Sequence, residues 1–211
     1  MTNENVSKLS SRLVKYYKSE LDEDTRRLII HIIRAIAAKG EPVEAAQLAQ
    51  LMDQPTEKVT QLLADITVRD EQGRVVGFGL SLIPTDHQFE VNGHTLWTWC
   101  AVDSLLFPPL LNLPARIKSH CPVTGEMIKI ALTPETIEKV TPASAVVSIV
   151  TPKLDKIADV RQLVCSNQSF FKSAGVAKEW QKKHPDALIL SVTDTFTLYK
   201  QITKQVWTVE A

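Results

Sequence analysis

The stretch His87–Leu111, "HQFEVNGHTLWTWCAVDSLLFPPLL", decides the fold. It opens with two alternating runs joined by Asn92-Gly93, the dipeptide favoured in tight hairpin turns, and so predicts a β-hairpin. Phe89 and Val91 are expected on one face of its first strand, Trp97 and Trp99 on one face of its second. At Cys100 the period changes, because "CAVDSLLF" fits a turn or two of helix that Pro108-Pro109 is expected to stop. Cys100 therefore stands at a strand-to-helix junction. A thiol in the first turn of a helix meets the partial positive charge of unpaired backbone N–H groups, which lowers its pKa from about 8.5 and makes it a candidate nucleophile or soft-metal ligand. Asp103, three residues on, shares that helical face and can exchange a proton with it. On these residues alone a second reading stays open: a small buried apolar cysteine beside a local cap.

Upstream, Leu28, Ile29, Ile32, Ile33 and Ile36 recur at helical spacing between Asp24 and Lys39, and Gly40 follows where a helix C-terminus favours a left-handed residue. "EPVEAAQLAQLMDQPTEKVTQLLADI" reads as two short helices separated by "MDQP", and "DEQG" turns into the strand "RVVGFGLSL". Three helices and a hairpin are the winged-helix plan, common in DNA-binding proteins. Its reading helix would carry only Glu57, Lys58 and Asp65 as charges, which leaves little to meet phosphates. A structural module over residues 1–83 is the better reading, followed by an α+β domain over residues 84–211.

In that second part "ARIKSHC", "MIKIALT" and "ASAVVSIV" read as strands, "CPVTGE" as a turn and "TPETIEKV" as a short helix with a threonine cap. After "TPKLDKIADVRQLVCSNQSFF" a helix near Gly175 to Lys183, the strand "ALILSV" and a final helix with Phe196, Tyr199 and Ile202 are expected. The fold class is α+β, with short antiparallel sheets and helices after the helical module.

The 211 residues fit one domain or two small ones, and 44% hydrophobic content is enough for a core. Twenty-four basic residues balance 24 acidic ones, so no net field favours nucleic acid or an anionic membrane surface. The polar N-terminus lacks a signal-peptide pattern, and no run of about 18 apolar residues occurs, so a soluble cytoplasmic protein is expected. Cys100, Cys121 and Cys165 are too few and too widely spaced for a disulfide framework and read as free thiols. Cys165 leaves the apolar "LV" for the polar "SNQS", a strand-end position from which functional side chains often project. His120-Cys121 resembles half a metal site but lacks the close cysteine pair of structural zinc, and packing suits Cys121 better. His31 reads as a core-edge residue; His87, His94 and His184 adjoin turn residues and are expected to be solvated. No phosphate loop, Gly-x-Ser-x-Gly elbow or His-Glu-x-x-His helix occurs.

Taken in order, "GFGLSL", "LWTWCAVDSLLFPPLL", "ARIKSHCPVTGE" and "ADVRQLVCSNQSFF" resemble the alkylmercury lyase family, the organomercurial lyases. The resemblance extends from the helical module through "AKEWQKKHPDALILSV". It implies an active site of Cys100, Asp103 and Cys165 and a structural role for Cys121. Ser166 stands where some members carry a second, adjacent cysteine. It further implies a mercury-detoxification enzyme that cleaves the carbon–mercury bond of an organomercurial substrate by protonolysis, giving a hydrocarbon and Hg²⁺. No cofactor is implied; mercury is substrate and product, and small thiols and mercuric reductase are the expected acceptors of the ion. Two thiolates suit a soft cation, so Cys100 and Cys165 would hold the mercury with Asp103 beside it as proton donor. Trp97 or Trp99 and Phe107 are expected to wall the site. The alternative is a non-catalytic thiol-based carrier of soft metals, for which a proton donor beside the ligands would be superfluous.

Overall fold

The computed structural model describes residues 3–64, 66–150, 161 and 164–208. Helix α1 (Asn3–Glu20) is one that the sequence reading passed over. Its charged and polar surface hides a stripe at every fourth residue, Leu9, Leu13 and Tyr17, which continues to Leu21 just beyond the helix; Leu9, Leu13 and Leu21 are buried.

Helix α2 (Glu23–Lys39) has the limits its signals foretold. Asp22 caps it by accepting the Thr25 N–H at 2.7 Å, and Gly40, left-handed at φ 66°, closes it with an N–H to Ile36 O. Helices α3 (Ala45–Met52) and α4 (Thr56–Ala64) follow, then the antiparallel pair β1 (Val68–Arg69) and β2 (Val75–Phe78).

Strand β2 continues into an eight-stranded antiparallel sheet with β3 (Leu80–Ser81), β4 (His87–Val91), β5 (His94–Thr98), β6 (Ala115–His120), β7 (Met127–Leu132) and β8 (Ile137–Thr141), in the order β1-β2-β3-β5-β4-β6-β7-β8. The β4–β5 hairpin turns at Asn92-Gly93, both with positive φ (51° and 77°), and pairs Val91 with His94. A smaller sheet orders β9 (Val146–Ile149) between β10 (Phe170–Phe171) and β11 (Leu188–Ser191). Helix α5 (Ala101–Leu111) packs against the last helix, α7 (Val192–Val206), while α6 (Ala174–Gln181) lies beside the small sheet. The α+β class and the antiparallel sheets are as expected, and a single sheet takes strands from both sides of residues 83 and 84.

Five expectations are corrected. "RVVGFGLSL" is not one strand but β2 and β3, antiparallel neighbours reversed at Gly79, whose positive φ of 63° permits the tight turn. Pro108 and Pro109 lie inside α5 rather than ending it. Proline's fixed φ suits a helix, and both prolines fall in the last turn of a segment buried on nearly every side, where that packing offsets the missing donors and the crowding of the preceding turn. The helix ends at Asn112, left-handed at φ 56°, whose N–H reaches Pro108 O. In "TPETIEKV" the Thr133 hydroxyl does accept the N–H groups of Glu135 and Thr136 at 3.2 Å, but these bonds close a hairpin turn and Ile137 begins β8. The same cap-like hydrogen bonds serve turns and helix starts alike. His87 is buried, not solvated: it pairs across the sheet with Ser119, its Nδ1 2.8 Å from Ser119 Oγ, and burial pushes its pKa down to about 4. Cys165 sits in a 3-10 turn, Cys165–Asn167, rather than at a strand end. Residues 151–160 and 162–163, most of "TPKLDKIADVRQLV", lie outside the described residues.

Candidate active site

Strand β5 delivers the chain to Cys100, which caps α5. Its backbone is extended (φ −149°, ψ 171°), the geometry of a helix N-cap, and its sulfur accepts the N–H of Asp103 at 3.4 Å. The hairpin-to-helix change of period read from the sequence is therefore what sets the sulfur against the first turn. Thr98 donates its hydroxyl to Cys100 O at 3.0 Å, which ties the end of the strand to the cap.

From the far side comes the turn Cys165–Asn167, closed by the Gln168 N–H on Cys165 O at 3.1 Å. Gln168 O in turn accepts the N–H of Ala101, the first residue of α5, at 3.0 Å. Residues 65 apart in sequence thus meet: the two sulfurs and one Asp103 oxygen lie within 4.8 Å of one another. It is the only such cluster of three or more His, Cys, Asp or Glu side chains among the described residues. All three cysteines are free thiols and buried.

The electrostatics follow from dryness. Burial pushes the Asp103 carboxyl up to about 6, while hydrogen bonding with Cys100 pulls the other way. Asp103 Oδ2 is buried with no hydrogen-bond partner. Burial likewise raises the Cys100 thiol well above its ordinary value, and contact with Cys165 and the charge of Asp103 add to the rise; the Asp103 N–H works against it. In the isolated site Cys100 keeps its proton, so the helix-terminus effect anticipated for this thiol is outweighed.

A cavity of about 80 Å³ adjoins the trio, walled mainly by apolar side chains with Asp103, Cys165 and Gln168 on its surface. Trp99 and Phe107 line it as expected; Trp97 does not. Trp99 packs on Phe78, ring centroids 5.2 Å apart, and the Arg161 guanidinium lies 5.1 Å from its ring centre. Among the wall residues that the sequence did not single out are Tyr17 from α1, Trp207 beyond α7 and Gln168. Tyr17 had a signal in the four-residue stripe of α1; nothing marked Gln168 inside "SNQS". Gly79, at φ 63°, brings bare backbone against the site, where a Cβ would stand 2.8 Å from Phe107 Cζ and 3.6 Å from the Asp103 carboxyl.

Cys121 lies apart from the trio, at the start of the turn between β6 and β7, where its N–H reaches Glu126 O and its C=O accepts the Gly125 N–H. Burial alone would raise its pKa; hydrogen bonds from the Thr124 side chain and from the backbone of Lys172, Thr124 and Val123 lower it.

Two thiols and an acid at the edge of a small apolar cavity, on an α+β scaffold, have the chemistry to hold a thiophilic metal species and a proton. The alkylmercury lyase family model matches residues 80–204. The chain is 38% identical over 200 residues to an alkylmercury lyase of Staphylococcus epidermidis, covering 94% of this chain and 91% of that one. It is 42% identical over 184 residues to an alkylmercury lyase of Bacillus cereus, covering 86% and 83%. A crystal structure of the mercury-bound form of MerB2 superposes with a TM-score of 0.79 at 26% identity, covering 93% of this chain and 99% of that one. The chain belongs to the alkylmercury lyase family, and its function is that of an alkylmercury lyase.

Proposed function

We propose that Cys100 and Cys165 are the paired sulfur ligands of an organomercurial and that Asp103 carries the proton that releases its carbon. An organomercury cation is soft, and two sulfur donors suit it better than any oxygen or nitrogen set. The sulfur of Cys165 displaces the thiolate or halide that accompanies the incoming substrate, and its thiol proton leaves with that group. As mercury reaches Cys100, that thiol must lose its proton, because a metal-bound thiol is deprotonated. Asp103, ionised at neutral pH, accepts it. Donation from two sulfurs weakens the Hg–C bond and loads charge on carbon; the proton moves from Asp103 to that carbon, the hydrocarbon leaves and Hg²⁺ stays on two thiolates. Asp103 returns to its carboxylate, and two external thiols remove the ion, their protons restoring the cysteines.

The observation that carries this reading is the convergence of two sulfurs and a carboxyl oxygen within 4.8 Å, with Asp103 Oδ2 buried and unpartnered. A buried carboxylate without a partner is costly, and a raised pKa in a cleft is a mark of functional groups. We infer further that the reaction uses no resident cofactor, that the acceptors are small thiols and mercuric reductase, and that the enzyme works in the cytoplasm, where thiols are reduced. Among the described residues no helix is long and apolar enough to cross a membrane. Residues 1–83 are proposed as a winged-helix-like module whose work is to wall the cavity rather than to bind nucleic acid, in keeping with the balanced charge.

The test is incubation with phenylmercury and excess thiol while benzene is measured. Wild type releases benzene; Cys165→Ala loses nearly all turnover; Asp103→Asn still binds mercury but releases benzene slowly. Full activity in Asp103→Asn would remove Asp103 from the proton pathway.

A further inference from the structure

Each of the two sulfurs is held by a different piece of chain, and one residue, through its side chain and its main chain together, bonds to both pieces. Gln168 is buried, with 4% of its surface exposed. The Cys100 S–H donates to Gln168 Oε1 at 3.3 Å, and Gln168 Nε2 donates to Val150 O at 3.2 Å, so the amide is held at both ends. Its own N–H closes the Cys165 turn on Cys165 O, and its carbonyl accepts the Ala101 N–H. These four bonds link the Cys165 turn, the start of α5 and the Cys100 sulfur within one residue.

We propose that Gln168 is a positioning residue for the two-sulfur site: its amide oxygen fixes the Cys100 sulfur while its main chain joins the Cys165 turn to α5. The inference rests on the reading of Cys100 and Cys165 as paired mercury ligands. A metal held by two sulfurs gains from the second only if that sulfur is already within reach, and groups that orient ligands typically alter affinity or rate by roughly 10- to 100-fold. A water molecule could accept the same S–H, but it could not fix the sulfur relative to the 165–167 turn.

The experiment compares Gln168→Met, Gln168→Asn and Gln168→Glu with wild type and Cys165→Ala. The readouts are phenylmercury turnover and retention of Hg²⁺ against dithiothreitol, followed by sulfur-to-mercury absorption in the ultraviolet. Methionine keeps the length without an acceptor; asparagine keeps the amide but is one carbon too short. Glutamate keeps an oxygen at the same reach. The expected result for Met and Asn is a fall in kcat of roughly tenfold or more with KM within about threefold, and a comparable loss of Hg²⁺ retention. Glu recovers most of both. Should the Met variant fail to fold, the contrast between Asn and Glu decides. Turnover and retention near wild type in both Met and Asn, with Cys165→Ala inactive, would overturn the positioning role and leave the paired-sulfur reading standing. Equal losses in Glu and Asn would also overturn it, since the oxygen would then be irrelevant. An active Cys165→Ala would instead bring down the paired-sulfur reading itself.

Discussion

Asp103 gives its backbone N–H to the sulfur of Cys100 at 3.4 Å while its own Oδ2 remains buried and unpartnered. One residue therefore steadies the thiol through its main chain and keeps its side chain free for a proton. The i to i+3 geometry of an N-cap makes the two roles compatible, because the capping bond uses the amide and not the carboxyl.

The first consequence concerns pH. On the proposed mechanism Asp103 is ionised when it takes the Cys100 proton, and its carboxyl is raised to about 6. Below that value it already holds a proton and cannot accept another. We expect kcat/KM for phenylmercury to fall as pH drops through about 6, and this acid limb to vanish in the residual activity of Asp103→Asn. A stopped assay of benzene release across pH 4.5–8, about two decades either side of the limb, reads it directly.

The same group makes a statement about stability. Its folded pKa lies above the ordinary value of about 3.9, so folding takes up a proton between roughly pH 4 and 6. Stability contributed by the protonated form is present at low pH and lost as pH rises through about 6. Asp103→Asn should therefore be more stable than wild type at pH 8, by up to about 3 kcal/mol, with the gap closing toward pH 4. Denaturant melts at the two pH values check this; a gap that does not change with pH would mean that the carboxylate is not paying for its burial.

Gly79 sets the room beside the acid. Alanine there would hold a left-handed φ of 63° and place its Cβ 2.8 Å from Phe107 Cζ. The backbone cost is about 1–2 kcal/mol, and the Phe107 ring must move. We expect Gly79→Ala to lower the ratio of kcat/KM for phenylmercury to that for methylmercury, because a shifted ring narrows the cavity for the larger group first. An unchanged ratio would take Phe107 out of substrate selection.

Cys121 offers the control. It is buried but outside the trio, and its surroundings are the turn between β6 and β7. Cys121→Ser should keep turnover within about twofold and lose on the order of 1–2 kcal/mol of stability, as a hydroxyl replaces a packed sulfur. Loss of turnover without loss of stability would argue for a direct part in the reaction.

What could be seen in the sequence and what could not divide along physical lines. The Asn92-Gly93 hairpin, the Gly40 cap of α2 and the Cys100 junction all rest on local backbone geometry, and each stands where its residues said. Pro108-Pro109 and "TPETIEKV" were misread because local propensity there yields to burial and to strand pairing. The trio was recognisable through family resemblance; spacing alone could not bring Cys165 to Cys100, since they lie on segments distant in sequence that meet only in the fold, where Gln168 bonds join them. Helix α1 was overlooked because its charged face dominates the composition, although its four-residue apolar stripe was there to be counted.

The cavity wall draws on Tyr17 near one end of the chain, Phe78 and Gly79 before residue 84, Asp103 and Phe107 after it, and Trp207 near the other end. On the proposed function, substrate specificity thus draws on segments toward both ends of the described chain rather than on a portable cassette. A graft of the 99–107 segment with the 165–168 turn would transplant the reactive groups and leave behind the walls that keep water from them.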